Sequence, residues 1–323
     1  MTRFRVEHRT SYRYARAVSF GPHRLLLRPA AHHLRVLGAS LSTSPDATLR
    51  WTEDALGNVV AHATFSARAR ELVIESTLDI DHHGIDGPPA PLAPSAEILP
   101  IAYDPCELPD LARAIERQHR DPQGAVDAWA RRFVRRDGAT PTLGAIERIV
   151  GAIHEELRWE PRDAEGTQLP IETLSRGVGA CRDFALLAIE ACRSLGLAAR
   201  FVSGYLYDPT RDVLEAPIHG GATHAWAQVY LPGPGWVEID PTHGRIGNAH
   251  LVRIGVGRGA DSLAPITGTW IGSPGDALGM DVYVHVRTVD EAPADAETSG
   301  SRPLPMAEST PPSEEVRSSA RSA

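Results

Sequence analysis

Three side chains occur in chain order that together could perform covalent catalysis: Cys181, His224 and Asp240. Cys181 follows Gly177-Val178-Gly179-Ala180 and opens an apolar run that Gly196 closes, which predicts a helix over residues 181–195. In the first helical turn, unpaired backbone N–H groups and the helix dipole stabilise an anion. The thiolate is the nucleophilic form of cysteine, so this position favours reactivity. Cys192 lies in the apolar middle of the same helix and reads as core, while Cys106 has no base suggested beside it.

The segment Thr223-His224-Ala225-Trp226-Ala227-Gln228-Val229-Tyr230, preceded by Gly220-Gly221, alternates as a strand. His224, Trp226, Gln228 and Tyr230 share one face, and His224 at the strand start is placed to move a proton. A short strand over residues 235–240 then ends in Asp240-Pro241. Paired in a hairpin, Asp240 can accept from the imidazole and set its tautomer. Each residue alone is more often structural: a helix-start cysteine, a strand histidine, an aspartate capping a strand end. The weight lies in nucleophile, base and orienter on elements able to converge.

Around that constellation, helical periodicity covers residues 108–120, 124–135 and 143–157, and a strand is predicted over 199–207. Residues 3–80 read as short strands, with a turn at Asp54-Ala55-Leu56-Gly57-Asn58, which favours a small antiparallel sandwich or barrel. Nine arginines stand in residues 1–50 against Glu7 and Asp46, which reads as a solvated sheet face ahead of a docking surface for an acidic partner. Proline-dense residues 87–94 read as a linker. The expected organisation is an N-terminal domain over 1–86, a core over 87–290, and a disordered tail over 291–323, rich in serine, proline and acidic residues.

A net charge of -8 disfavours a general nucleic-acid or phosphate binder. No run approaches a membrane span and no secretory leader is read at the start, so cytoplasmic residence is the default expectation. Three cysteines do not make a disulfide scaffold. All 33 basic residues are arginine, which removes lysine Schiff-base and P-loop chemistry and any lysine acceptor for self-modification.

Residues 177–183, 223–230 and 235–242 resemble the core of the transglutaminase-like superfamily in its bacterial branch, through Cys181-Arg182-Asp183, His224-Ala225-Trp226 and Trp236-Val237-x-x-Asp240-Pro241-Thr242. His8-Arg9-Thr10-x-Tyr12-x-Tyr14, Leu27-Arg28-Pro29 and Asp54-x-x-Gly57-Asn58 resemble the N-terminal region that precedes this core in bacterial members. The resemblance covers most of residues 1–290. It implies an α+β chain: an antiparallel β-sandwich, then a papain-like core whose nucleophile helix packs on an antiparallel sheet. It also implies Cys181 as nucleophile, His224 as base and Asp240 as orienter. One departure follows Arg258, where Gly259-Ala260 replaces the Asp-Tyr of many relatives, with altered packing or substrate contact near the cleft as the expected consequence.

The expected chemistry is acyl transfer or hydrolysis at an amide of a protein or peptide through an acyl-thioester. Hydrolysis is favoured over transfer to an amine, because water needs no acceptor pocket. The Cys181 N–H is the first oxyanion donor, and Trp159 and Gln168 are candidates for a second. Asp183 reads as a helix cap ahead of a site role or a pair with Arg182, and Trp226 as cleft wall or core. No cofactor is called for. A metal set of Cys181, His219, His224 and His243 matches no compact zinc spacing, and no acidic loop resembles a calcium site. The alternative is a non-catalytic peptide-binding or scaffold protein that retains the cleft. The resemblance leaves His219 and His243 without a role.

Overall fold

Alternating apolar residues in β1 (Thr2–Arg28) build a strand of 27 residues that takes different partners along its length. Its first half pairs antiparallel with β5 (Ala69–His82) on one side and β16 (Ala277–Thr288) on the other. Its second half pairs with β4 (Val59–Phe65) and β15 (Ile266–Ile271). β2 (Leu34–Ser44) extends the first layer beyond β5, and β3 (Ala47–Glu53) extends the second beyond β4. Tyr14, Phe20, Leu25, Leu27, Ala61, Leu72 and Ile74 fill the space between the layers, so the seven strands curl around a shared interior. This is the antiparallel N-terminal architecture expected from the sequence. The computed structural model describes residues 2–30, 34–85, 90–162, 164–211 and 223–289. The tail over 291–323 and part of the linker over 87–94 lie outside the described residues.

The expected boundary near residue 86 differs in one respect. β15 and β16 come from the end of the segment assigned to the core, yet they pair with β1, and residues 1–289 form one compact unit. Local pattern marks β16 as a strand but says nothing of a partner about 270 residues away, since ladder bonds carry no sequence label. The arginine-rich face is internally paired: Arg3, Arg5, Arg9 and Arg13 meet Asp81, Asp79, Glu75 and Asp281 on neighbouring strands. That pairing favours the solvated face over an acid-docking surface.

The core follows. Helices α1 (Leu108–Ile115), α2 (Ala125–Arg131), α3 (Thr142–Glu156) and α4 (Pro170–Arg176) lead to α5 (Cys181–Ser194). Two short ladders lie among them: β6 (Ile98–Leu99) with β7 (Thr140–Pro141), and β8 (Arg158–Trp159) with β9 (Val178–Gly179). An antiparallel five-stranded sheet is ordered β13-β12-β11-β10-β14, from β10 (Ala199–Leu206), β11 (Thr223–Leu231), β12 (Gly235–Asp240), β13 (Arg245–Ile246) and β14 (Leu251–Gly257). Phe184, Ala185, Ala188, Ile189 and Cys192 of α5 pack against Phe201, Ala225, Ala227, Val229 and Ile239 of that sheet. Phe4, Val6, Leu78 and Ile80 of the N-terminal sheet belong to the same apolar cluster, so the two regions share one core. Among the described residues, no helix is long and apolar enough to cross a membrane.

Candidate active site

The position of Cys181 is set by a sharp entry into α5. Gly177, at φ 64, ends α4 in the left-handed region that favours glycine. Gly179 then passes so close to α5 that an added Cβ would stand 3.0 Å from the Asp183 Cβ. Ala180 is the extended N-cap residue and Cys181 the first helical residue. Asp183, three residues after the cap, accepts the Ala180 N–H at 2.9 Å and the Gln168 N–H at 2.7 Å. Arg162 grips the same carboxylate with two bonds, at 3.1 and 3.0 Å. Asp183 is therefore a buried cap that ties the 160–168 loop to the helix start. Its ion-pair partner is Arg162 and not Arg182, whose guanidinium holds the carbonyls of Arg162, Ala164 and Gly166 at 2.7 Å. A neighbour on a helix surface points away from position i+1, which is why the adjacent residues do not pair.

His224 and Asp240 come from adjacent strands. Gln228↔Glu238 and Ala227↔Ile239 register β11 against β12, which brings Asp240 diagonally beside His224. His224 Nε2 donates to Asp240 Oδ2 at 2.8 Å, and both residues are buried. With Nε2 engaged, Nδ1 is the ring nitrogen left for Cys181, whose thiol interacts with the His224 ring by hydrogen bonding and by charge. Cys181 is partly exposed while Cys192 is sealed in the core.

The electrostatics follow from this packing. Burial alone raises a thiol, but at Cys181 the His224 charge and hydrogen bond, with the Ala225 N–H, outweigh it and hold the thiol below its ordinary range. Burial disfavours charge on His224 too, yet the Asp240 carboxylate and the Cys181 sulfur push its imidazole well above its usual value. Asp240 is driven far down against its own burial by His224 and His243. At Cys192 burial outweighs the opposing charge of Arg193, and the thiol is pushed up to about 12.

Trp226 lies under this pair. It is fully buried and stacks on His224 with ring centroids 5.8 Å apart, and its Nε1 donates to Glu238 at 2.7 Å. Gly204 makes room for it, since a Cβ there would come within 2.7 Å of the indole. Gln228 donates to the other Glu238 oxygen at 2.7 Å, and Arg200 donates to Gln228 at 2.7 Å. Burial raises the Glu238 carboxyl. Trp159 stands on β8 opposite Gly179, largely exposed, and makes no hydrogen bond among the described residues. Gln168 is tied through its backbone to Asp183, and its buried Oε1 has no hydrogen-bond partner among the described residues. The fold thus brings together Cys181, His224, Asp240 and Trp226, and places Trp159, Gln168 and Asp183 around the helix entry.

His219 lies outside the described residues. The Arg258 segment packs away from the thiol: Arg258 donates to the Arg113 carbonyl at 2.9 Å and pairs with Glu116, beyond the end of α1. The altered residues after it therefore bear on packing against α1 rather than on the cleft. Two participants carried a signal that the sequence reading did not use. Glu238 alternates with Asp240 on the same strand face, and His243 stands three residues after Asp240, within reach across a turn. The ligand atoms of His224, Asp240 and His243 lie within 4.8 Å of one another, and hydrogen bonds satisfy them as they stand.

A helix-borne thiol facing a strand imidazole backed by a carboxylate, on an α5-plus-antiparallel-sheet core, defines a papain-like cysteine–histidine–aspartate fold. Residues 127–241 match the Transglutaminase-like superfamily, and residues 4–81 match the Bacterial transglutaminase-like N-terminal region. The chain belongs to the transglutaminase-like superfamily. It is 30% identical over 280 residues to an uncharacterized protein of Mycobacterium tuberculosis, covering 82% of this chain and 87% of that one. An uncharacterized protein of Mycobacterium leprae is 27% identical over 304 residues, covering 88% and 99%. The crystal structure of a candidate cysteine protease from Cytophaga hutchinsonii shares the fold at TM-score 0.68 and 18% identity, covering 90% of this chain and 92% of that one.

Proposed function

We propose that the protein catalyses cysteine-dependent acyl transfer or hydrolysis at amide bonds of a protein or peptide. The observation that carries this reading is the continuous link from the Cys181 thiol through the His224 ring to the buried Asp240 carboxylate. Asp240 holds the Nε2 proton, His224 takes the thiol proton at Nδ1, and the resulting thiolate attacks the substrate carbonyl carbon. The negative charge on the tetrahedral oxygen is met by the Cys181 backbone N–H at the helix mouth. Collapse breaks the C–N bond as the imidazolium gives its proton to the leaving nitrogen, and an acyl-thioester remains on Cys181. Water or a primary amine, deprotonated by His224, then displaces the sulfur. Hydrolysis is the favoured outcome, because it needs no pocket for a second substrate.

The test is incubation with a glutamine-containing peptide library, with and without a primary amine, read by intact mass. Peptide cleavage, a gain of about 1 Da from amide-to-acid conversion, and an amine adduct separate peptidase, deamidase and transglutaminase chemistry. Absence of all three, together with no trapped thioester, would instead support a peptide-binding protein that retains the cleft.

A further inference from the structure

Asp240 serves two imidazoles. Its Oδ2 accepts from His224 Nε2 at 2.8 Å and from His243 Nδ1 at 2.8 Å, while Oδ1 accepts the Thr242 N–H at 2.9 Å. An ionised carboxylate offers only acceptor sites, so each ring must present a proton to it. The two rings stand edge to face with centroids 5.2 Å apart. His224 is buried on β11, whereas the His243 side chain keeps 35% of its exposure in the turn after β12.

That turn is braced from outside. His154 of α3 donates through Nδ1 to the Thr242 carbonyl at 2.8 Å. Gly244, at φ 65, comes so close to α3 that an added Cβ would lie 3.0 Å from the His154 ring. Besides His224 and Asp240, the ionisable groups around His243 are His154 of α3, Arg245 of β13, and His250 just before β14. Of these, only Asp240 is hydrogen-bonded to the His243 ring among the described residues.

We propose that His243 is a positioning residue of the site: by donating to the same Oδ2, it fixes the Asp240 carboxylate in the orientation that keeps the His224 proton on Nε2 and leaves Nδ1 for Cys181. Without it, the carboxylate has one imidazole bond and the backbone N–H groups of its own turn, and can swing about its terminal torsion, which is broad for aspartate. The inference rests on the function proposed above.

Two kinds of variant separate a donor from mere bulk. The Nδ2 of asparagine occupies the place of the imidazole Nδ1, so His243→Asn keeps the donor, whereas His243→Phe keeps the ring volume without it, and His243→Ala keeps neither. The readouts are the iodoacetamide rate at Cys181 at pH 7, the His224 tautomer by nitrogen-15 NMR, and kcat against KM on a peptide from the library. His243→Ala and His243→Phe should slow alkylation about tenfold and lower kcat with KM unchanged, while His243→Asn stays within about threefold of wild type. In the carbamidomethylated enzyme, taken to a pH at which the imidazole is neutral, the His224 proton should remain on Nε2 in His243→Asn and distribute between both nitrogens in the other two.

Wild-type rates in His243→Phe would overturn the proposal, as would a loss in His243→Asn equal to that in His243→Phe. A wild-type protein no more reactive than His224→Ala would refute the catalytic reading instead. In that event the NMR measurement still decides whether His243 sets the tautomer.

Discussion

At the residue scale, the proposed chemistry turns on which groups stay charged at neutral pH. The Cys181 thiol is held low and the His224 imidazole high, so the thiolate–imidazolium pair should persist on both sides of pH 7. Cys181 alkylation is therefore expected to vary less than about twofold between pH 7 and 9, whereas in His224→Ala it should climb about 20-fold over that range as an ordinary thiol ionises. Mass mapping of the alkylated peptides should find Cys192 unlabelled in the native protein, because burial keeps it a protonated thiol. Asp240→Asn removes the charge that holds His224 protonated and allows the wrong tautomer. Its kcat/KM should fall by at least about 100-fold on any substrate found, with the fold retained by circular dichroism.

At the element scale, the mouth of α5 depends on one buried carboxylate. Asp183 satisfies the Ala180 N–H, the Gln168 N–H and the Arg162 guanidinium together. Asp183→Ala leaves two backbone donors and an arginine without their acceptor, and a loss of about 3 kcal/mol in urea unfolding is expected. Arg162→Ala should cost less, since the cap itself remains. Equal stability of Asp183→Ala and wild type would show that the 160–168 loop is held by other contacts. The boundaries of α5 were legible because they are local. Its apolar run, its entry glycines and Gly196 at φ 81 all lie within the segment they define.

At the scale of the whole molecule, the N-terminal sheet is joined to the core by two motifs that family resemblance singles out. His8 hydrogen-bonds the Tyr205 hydroxyl of β10 at 2.8 Å and the Thr10 hydroxyl at 2.9 Å. Asn58 accepts the Val256 N–H at 2.8 Å and donates to the Val256 carbonyl at 2.8 Å, while Asp54 holds the turn that presents it. Asn58→Ala should cost about 2 kcal/mol, seen as a lower denaturant midpoint. Burial pushes His8 down to about 4. Between that value and the 6.5 of an exposed histidine, the unfolded chain binds a proton that the folded one does not. The His8 contribution is thus fully present above pH 6.5 and lost as the pH falls toward 4. Between pH 7 and 5 the wild type should lose roughly 2 kcal/mol more than His8→Gln, which cannot titrate. Identical pH slopes in urea titrations would show that His8 is not buried in its neutral form.

The chain by itself determined the helix at Cys181, the hairpin carrying His224 and Asp240, and the antiparallel character of its first 80 residues. Each is written in periodicity, turn residues and caps that act over a few positions. Tertiary structure alone decided that β16 closes on β1, that Asp183 takes Arg162, that His243 shares the Asp240 oxygen, and that His8 and Asn58 join the sheet to the core. These choices pair groups that chain folding brings together. Hydrogen bonds and ion pairs depend on distance and direction in space, and neither is encoded in the identity of a residue or its immediate neighbours.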